Sequence, residues 1–166
     1  SFGTGHHETT SLMISTQLTI DHKNKRILDF GTGTGILSIM ASKLGAQHIL
    51  ATDIDDWCIE NSHENFNLNA VSNYELKKGT VNSLHIDGTY DIILANINKN
   101  VLLEEIPYYV NYMAEKAYLL LSGFYENDVE DIKKVAENTG LQLLKKAVKN
   151  HWTCLLFSKY HTYKLF

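Results

Sequence analysis

Proline is almost missing from this 166-residue chain: Pro107 is the single one, where ordinary usage near 5% would supply roughly 8. Collagen-like and proline-rich linker architectures are thereby excluded, and turns must come from Gly, Asn and Asp. Cysteine is nearly as scarce, with only Cys58 and Cys154, far apart and in apolar surroundings. That usage fits buried thiols in a reducing compartment, and a cytoplasmic location is expected. No run approaches the roughly 20 uninterrupted apolar residues that a membrane span needs, and the polar opening SFGTGHHETT lacks the basic and apolar regions of a signal peptide. Neither a membrane role nor export is expected. Positive charge is thin as well. The net charge is −4 and the lysines are scattered apart from KKAVKN, so a direct nucleic-acid substrate is disfavoured. Lys145, Lys146 and Lys149 are read as a solvated strand face.

What is present is ordinary for a globular domain. Hydrophobic residues make up 44% and charged residues 20%, enough for one core but not two domains. No repeat, linker or low-complexity tract interrupts the chain, so residues 1–166 are treated as one unit, expected to be monomeric. It opens on a glycine-rich loop already in progress, as though cut from a longer protein.

Periodicity gives the elements. Leu12, Met13, Thr16 and Ile20 recur at helical spacing from Thr9 to Ile20. RILDF then reads as a buried strand, GTGTG as a turn, and ILSIMASKLGA as a helix closed by Gly45. HILATDI is a second strand, and Asp55 and Asp56 open a helix to about Asn69, carboxylates suiting its positive end. YELKKG and YDIILAN read as the third and fourth strands. A helix around 101–115 and the strand AYLLLS follow. Val129, Ile132, Val135 and Ala136 then share one face of a helix ended by Gly140. LQLLKKAVK and HWTCLLFSKY form two strands joined at Asn150, an antiparallel pair. Alternating strands and helices predict an α/β fold with an open, mainly parallel sheet covered on both faces.

In such sheets ligands bind beyond the carboxyl ends of the strands, where strand order reverses. Asp29, Gly31, Gly33 and Gly35 fall in the turn after the first strand, where a backbone without side chains can approach a ligand at a helix start. Asp53 lies 20 residues beyond Gly33, at the end of the second strand, where a carboxylate can accept from both ribose hydroxyls. Asn96 closes the fourth strand beside the same crevice. A dinucleotide fingerprint requires G-x-G-x-x-G, whereas these glycines run G-x-G-x-G and are followed by Ile36. Asp29 would repel phosphates but suits the cationic, amine-bearing end of S-adenosylmethionine. The local pattern favours that cofactor, with a nicotinamide dinucleotide as the alternative. His6, His7 and Glu8 lack the partners at metal-ligand spacing that a site needs, so no metal is expected. Cys58 is read as a core thiol, and Trp57 and Trp152 as packing or rim residues.

FGTGHHETT, LDFGTGTGILSIMASKLGA, TDID and ILANI, in this order and spacing, resemble the PrmA family, methyltransferases of a large-subunit ribosomal protein. The likeness spans essentially the whole chain, and the opening motif is its specific part. It implies the class I, Rossmann-like seven-stranded methyltransferase fold, S-adenosylmethionine as cofactor, and methylation of lysine and N-terminal amines on that ribosomal protein. Thr10, Gly31, Asp53 and Asn96 match the family's cofactor-contacting positions, and Phe2 and His6 belong to the same opening motif, whose loop would fold over the cofactor. Members also carry an N-terminal substrate-recruiting domain to which nothing here corresponds. Related enzymes often show Asn-Pro-Pro-Tyr at the fourth strand, while Asn96-Ile97-Asn98-Lys99 here agrees with the PrmA form. Asn96 is the expected catalytic residue, its side-chain oxygen orienting the amine. Glu104 and Glu105 are expected further along, on the following helix, with no well-placed general base. The alternatives are a related enzyme acting on a small amine or another protein, and a cofactor-binding module inactive without its missing domain.

Overall fold

A computed structural model describes residues 5–159 of the chain. Twelve elements alternate as expected: α1 (His6–Gln17), β1 (Arg26–Phe30), α2 (Ile36–Lys43), β2 (His48–Asp53), α3 (Asp56–Leu68), β3 (Tyr74–Lys78), β4 (Tyr90–Asn96), α4 (Lys99–Tyr109), β5 (Met113–Tyr125), α5 (Val129–Asn138), β6 (Leu141–Lys149) and β7 (Trp152–Lys159). The strands form one seven-stranded sheet in the order β3-β2-β1-β4-β5-β7-β6. Pairing is parallel from β3 through β5, and β7 runs antiparallel to both β5 and β6. This is the class I methyltransferase arrangement, and the expected C-terminal hairpin is present. Asn150 and His151 both have positive φ (50° and 69°), which matches the twist of a two-residue hairpin loop. Among the described residues no helix is long and apolar enough to cross a membrane.

The period-2 alternation of the central strands divides the core. Leu28, Phe30, Leu50, Ile93, Leu119 and Leu121 meet α4 and α5 through Leu102, Ile106, Tyr109 and Ile132. Ile27, Ile49, Ala51, Ile92, Leu94 and Leu120 meet α1, α2 and α3 through Met13, Leu37, Ala41 and Phe66. Both faces are dry, which is why these strands read as continuous apolar runs.

Three elements differ in their bounds from the sequence-based expectation. α1 begins at His6 and ends at Gln17, because Thr19 Oγ1 donates back to the Thr16 carbonyl (2.7 Å) and residues beyond Gln17 close as turns. α4 covers residues 99–109 and gives way to a 3-10 turn at 110–112 rather than running to 115. β5 is thirteen residues long, not the six of AYLLLS. It starts with Met113 opposite Tyr90, passes through Lys116 at φ 63°, and resumes with Tyr118 opposite Ile92. A left-handed residue at this irregularity breaks the alternation that would have marked the strand.

Candidate active site

Strand order reverses between β1 and β4, and a cavity of about 680 Å³ opens there, beyond their carboxyl ends. Its floor is the turn after β1. The Thr32 N–H donates to the Thr52 carbonyl (2.9 Å), tying the turn to β2, and the Gly33 N–H donates to Asp53 Oδ2 (2.9 Å). From α3, Ser62 Oγ donates to the Gly33 carbonyl (2.7 Å) and Asn65 Nδ2 to the Thr34 carbonyl (2.8 Å). Two loop carbonyls are thus held by α3.

The three alternating glycines do different things. Gly33 has φ +59° and nothing within 4 Å of where a Cβ would lie, so its bare backbone lines open cavity. A Cβ on Gly31 would press on the Ile97 side chain at 3.0 Å, and Gly31 also lines the cavity. Gly35 is the αL N-cap of α2 (φ +85°), and a Cβ there would lie 2.6 Å from the buried Phe66 ring. The structure places Gly35 at a packing contact, away from the cleft wall.

Asp29 is also beneath the loop and not on the cleft wall. It is 1% exposed. Its Oδ2 accepts from Thr32 Oγ1 (2.8 Å) and Ser38 Oγ (2.7 Å), while Oδ1 is buried without a partner. Burial pushes its pKa up to about 6; the two hydroxyls oppose this and the Asp53 charge adds to it. Asp53 does line the cavity. Besides the Gly33 contact, its Oδ1 accepts from the Asp55 N–H (3.1 Å), the Cys58 thiol also bonds to the carboxylate, and acceptor capacity remains for a further donor.

Asn96, at the end of β4, lines the opposite wall, and its Oδ1 is buried without a partner. Thr10 on α1 lines the cavity with a likewise unpartnered, buried Oγ1, and His6 lies at the same wall. Phe2 lies outside the described residues. Asn98 lines the cavity as well, and its side chain accepts from the Val101 N–H (3.1 Å) to cap α4. The sequence therefore brings Thr10, His6, Gly31, Gly33, Asp53 and Asn96 to one cleft.

One further expectation from the sequence does not hold. Cys58 is not a core thiol but a half-exposed residue lining the cleft. Burial, then the charges of Asp53 and Asp55, raise its pKa, so it is held as a neutral thiol. Its place in the first turn after Asp53 was the available signal. Glu104 and Glu105 lie on the helix after β4 as expected, and both also line the cavity, since the Asn98 cap starts α4 at its rim. Ile54 and Trp57, 67% and 64% exposed, form an apolar edge of the cleft; the sequence-based expectation includes a rim position for Trp57 and none for Ile54. Cys154 is buried against Thr16 and Met13 as expected, its pKa pushed up to about 11 by burial.

A family model described as ribosomal protein L11 methyltransferase (PrmA) matches residues 1–160. The chain belongs to the PrmA family. The proteins called ribosomal protein L11 methyltransferase in Phocaeicola vulgatus and Porphyromonas gingivalis are 44% and 46% identical to it, each over 95% of this chain and over 56% and 54% of their own lengths. The chain spans about half the length of these PrmA relatives. Among solved structures, the ribosomal protein L11 methylase of Lactobacillus delbrueckii subsp. bulgaricus superposes with a TM-score of 0.89 at 33% identity, covering 95% of this chain and 81% of that one. The magnesium protoporphyrin IX methyltransferase of Synechocystis with bound SAM shares the fold at 17% identity, with a TM-score of 0.77 over 94% of this chain and 80% of that one.

The PrmA cleft fits S-adenosylmethionine on its own residues. Open backbone at Gly33, lone pairs on Asp53, and unpartnered acceptors at Thr10 and Asn96 match a ligand rich in donors and positive charge. Because Ser62 holds a loop carbonyl, Ser62→Ala is expected to weaken S-adenosylmethionine binding about 10-fold, the scale of one lost buried hydrogen bond. Calorimetry checks this, and unchanged affinity together with an unchanged melting temperature would remove the loop-holding role.

Proposed function

We propose that this chain is the catalytic domain of an S-adenosylmethionine-dependent methyltransferase that modifies amino groups, lysine side chains and the N-terminal amine, of ribosomal protein L11, acting as a cytoplasmic monomer. The observation that carries this reading is the unpartnered Asn96 Oδ1, sharing one cleft with Asp53 and the glycine turn. The net charge of −4 favours a protein over a nucleic-acid substrate. The bound cofactor supplies a methyl group on a positively charged sulfur. Asp53 holds the ribose hydroxyls, Gly31 and Gly33 leave room for its close approach, and Thr10 closes the far wall. Asn96 offers its amide oxygen to an N–H of the incoming amine and points the nitrogen lone pair at the methyl carbon. Acceleration by such a site comes from holding nucleophile and methyl in line, without a covalent protein nucleophile. A free lysine of pKa ~10.4 is protonated at neutral pH, and desolvation in the cleft lowers that value so the proton leaves to water.

Intact mass of purified ribosomal protein L11, incubated with this chain and S-adenosylmethionine, tests the reading. Methyl-sized steps are expected, and Asn96→Ala should slow them about 10²-fold at saturating cofactor. Full turnover by that variant would remove the assigned role of Asn96. A second reading, a binding module inactive without a further domain, is favoured by the half-length match to relatives. Cofactor binding with no transfer to any amine would select it.

A further inference from the structure

Beyond the groups that face the cofactor, the strongest feature is the α4 wall of the cleft. Val101, Glu104 and Glu105 sit at i, i+3 and i+4, so α4 turns one face to the cavity that Asn96 also lines. Glu105 is half-buried, and its Oε1 accepts from the Tyr109 hydroxyl at 2.8 Å. Tyr109 is fully buried and stacks on Phe30 (centroids 4.6 Å apart, planes at 15°), the residue before Gly31. The carboxylate is therefore tied to the same turn that shapes the cofactor floor. Burial holds the Tyr109 phenol well above its usual range, so it stays a donor.

Among the described residues no ion pair offsets these charges. Lys99, the one basic residue of α4, is drawn to α5, where Nζ donates to Asp128 (3.1 Å) and Asp131 (2.7 Å). Among the described residues neither Glu104 nor Glu105 has an ion-pair partner within 4 Å. Burial raises the Glu105 pKa, the Tyr109 hydrogen bond opposes this, and the Glu104 charge adds to it. A fixed, uncompensated carboxylate on a cleft wall is complementary to a cation. The substrate class proposed above arrives as one, since an alkyl amine is an ammonium ion at neutral pH.

We infer that Glu105, with Glu104 beside it, receives the substrate's ammonium group on the α4 wall and selects cationic amines over neutral nucleophiles. This rests on the amine-methylating reading. Glu105 is thus a specificity-determining residue: it brings the ammonium to the cleft, the group gives its proton to water as it moves from that carboxylate to the desolvated position beside Asn96, and Asn96 aligns the neutral nitrogen.

The test is an NMR shift titration of the chain saturated with S-adenosylhomocysteine, using n-butylammonium and n-butanol as probes. The native protein is expected to bind the ammonium at least 10-fold more tightly than the alcohol. Glu105→Gln should abolish that preference without moving affinity for the alcohol, Glu105→Asp should restore part of it, and Glu104→Gln should reduce it less. An ammonium preference that survives Glu105→Gln, or that the native protein lacks, overturns the inference. With ribosomal protein L11 as substrate, Glu105→Gln should raise KM at least 10-fold and move kcat less. Unchanged KM in an active variant removes the inference and leaves the methyltransferase reading. A Glu105-dependent ammonium preference in a chain that leaves ribosomal protein L11 unmodified supports the inference and removes that substrate.

Discussion

Asp53→Ala is expected to weaken S-adenosylmethionine binding about a hundredfold, measured by calorimetry at neutral pH. The carboxylate sits at the end of β2 with acceptor capacity left after the Gly33 and Asp55 N–H groups and the Cys58 thiol are served, and a ribose hydroxyl can displace the weak thiol donor. Hydrogen bonds to a charged acceptor contribute roughly 1.5–3 kcal/mol each, and every 1.4 kcal/mol is tenfold in affinity. Two ribose hydroxyls would give more than a hundredfold, but Asp53 is partly exposed and water recovers some of the loss. The substitution also strands the Gly33 N–H and loosens the turn itself. Asp53→Asn keeps one acceptor and the shape, so its loss should be nearer tenfold. A change below threefold in Asp53→Ala would mean that the ribose is held elsewhere.

The second large effect lies in stability against pH. The folded pKa of Asp29 is raised from 3.8 to about 6, so the native state holds its proton more tightly than the unfolded chain. Its contribution to stability is complete below pH 3.8 and is lost as pH rises through about 6. Two pKa units correspond to about 3 kcal/mol, of which about 2–3 kcal/mol falls between pH 4 and pH 8. Asp29→Asn removes the titration, and its amide oxygen can still accept from Thr32 and Ser38. Urea unfolding of the ligand-free proteins across that range should show the native chain losing this amount relative to the variant. His22 is buried with a lowered pKa, which gives stability rising with pH through 6.5, and this opposite slope is common to both proteins. A pH-independent difference between them would show that Asp29 does not titrate as described.

The central sheet was legible because burial on both faces makes RILDF, HILATD and YDIILAN continuous apolar runs of strand length. The first half of β5 was not, since MAEK carries a left-handed lysine that interrupts the alternation. The start of α1 was hidden for a related reason. Gly5 precedes it without a side-chain cap, and it is glycine because a Cβ would fall inside the Trp152 ring, a contact between residues far apart in sequence. At the site, Asp53 and the glycine turn were visible through their spacing alone. The α4 carboxylates were not, because which face of a helix looks into a cleft depends on the residue at which the helix starts. That residue is fixed here by the Asn98 cap. The packing role of Gly35 was also invisible, since a glycine that makes room for Phe66 reads like one that makes room for a ligand.

The meeting of α1 with β7 has a kinetic meaning. α1 supplies Thr10 and His6 to the cleft wall, yet it rests on the last strand, with Thr16 and Met13 against Cys154 and Gly5 under Trp152. β7 in turn lies inside the sheet, between β5 and β6. On a ribosome working from the N-terminus, α2, β5 and β6 can emerge and offer α1 part of its bed before β7 exists. The Cys154 and Trp152 contacts come with the segment translated last among the described elements, so the seat of Thr10 and His6 is completed after the rest of the cleft. A nascent chain halted near Asn150 would hold α1 more loosely and bind the cofactor less tightly than one whose sheet is complete.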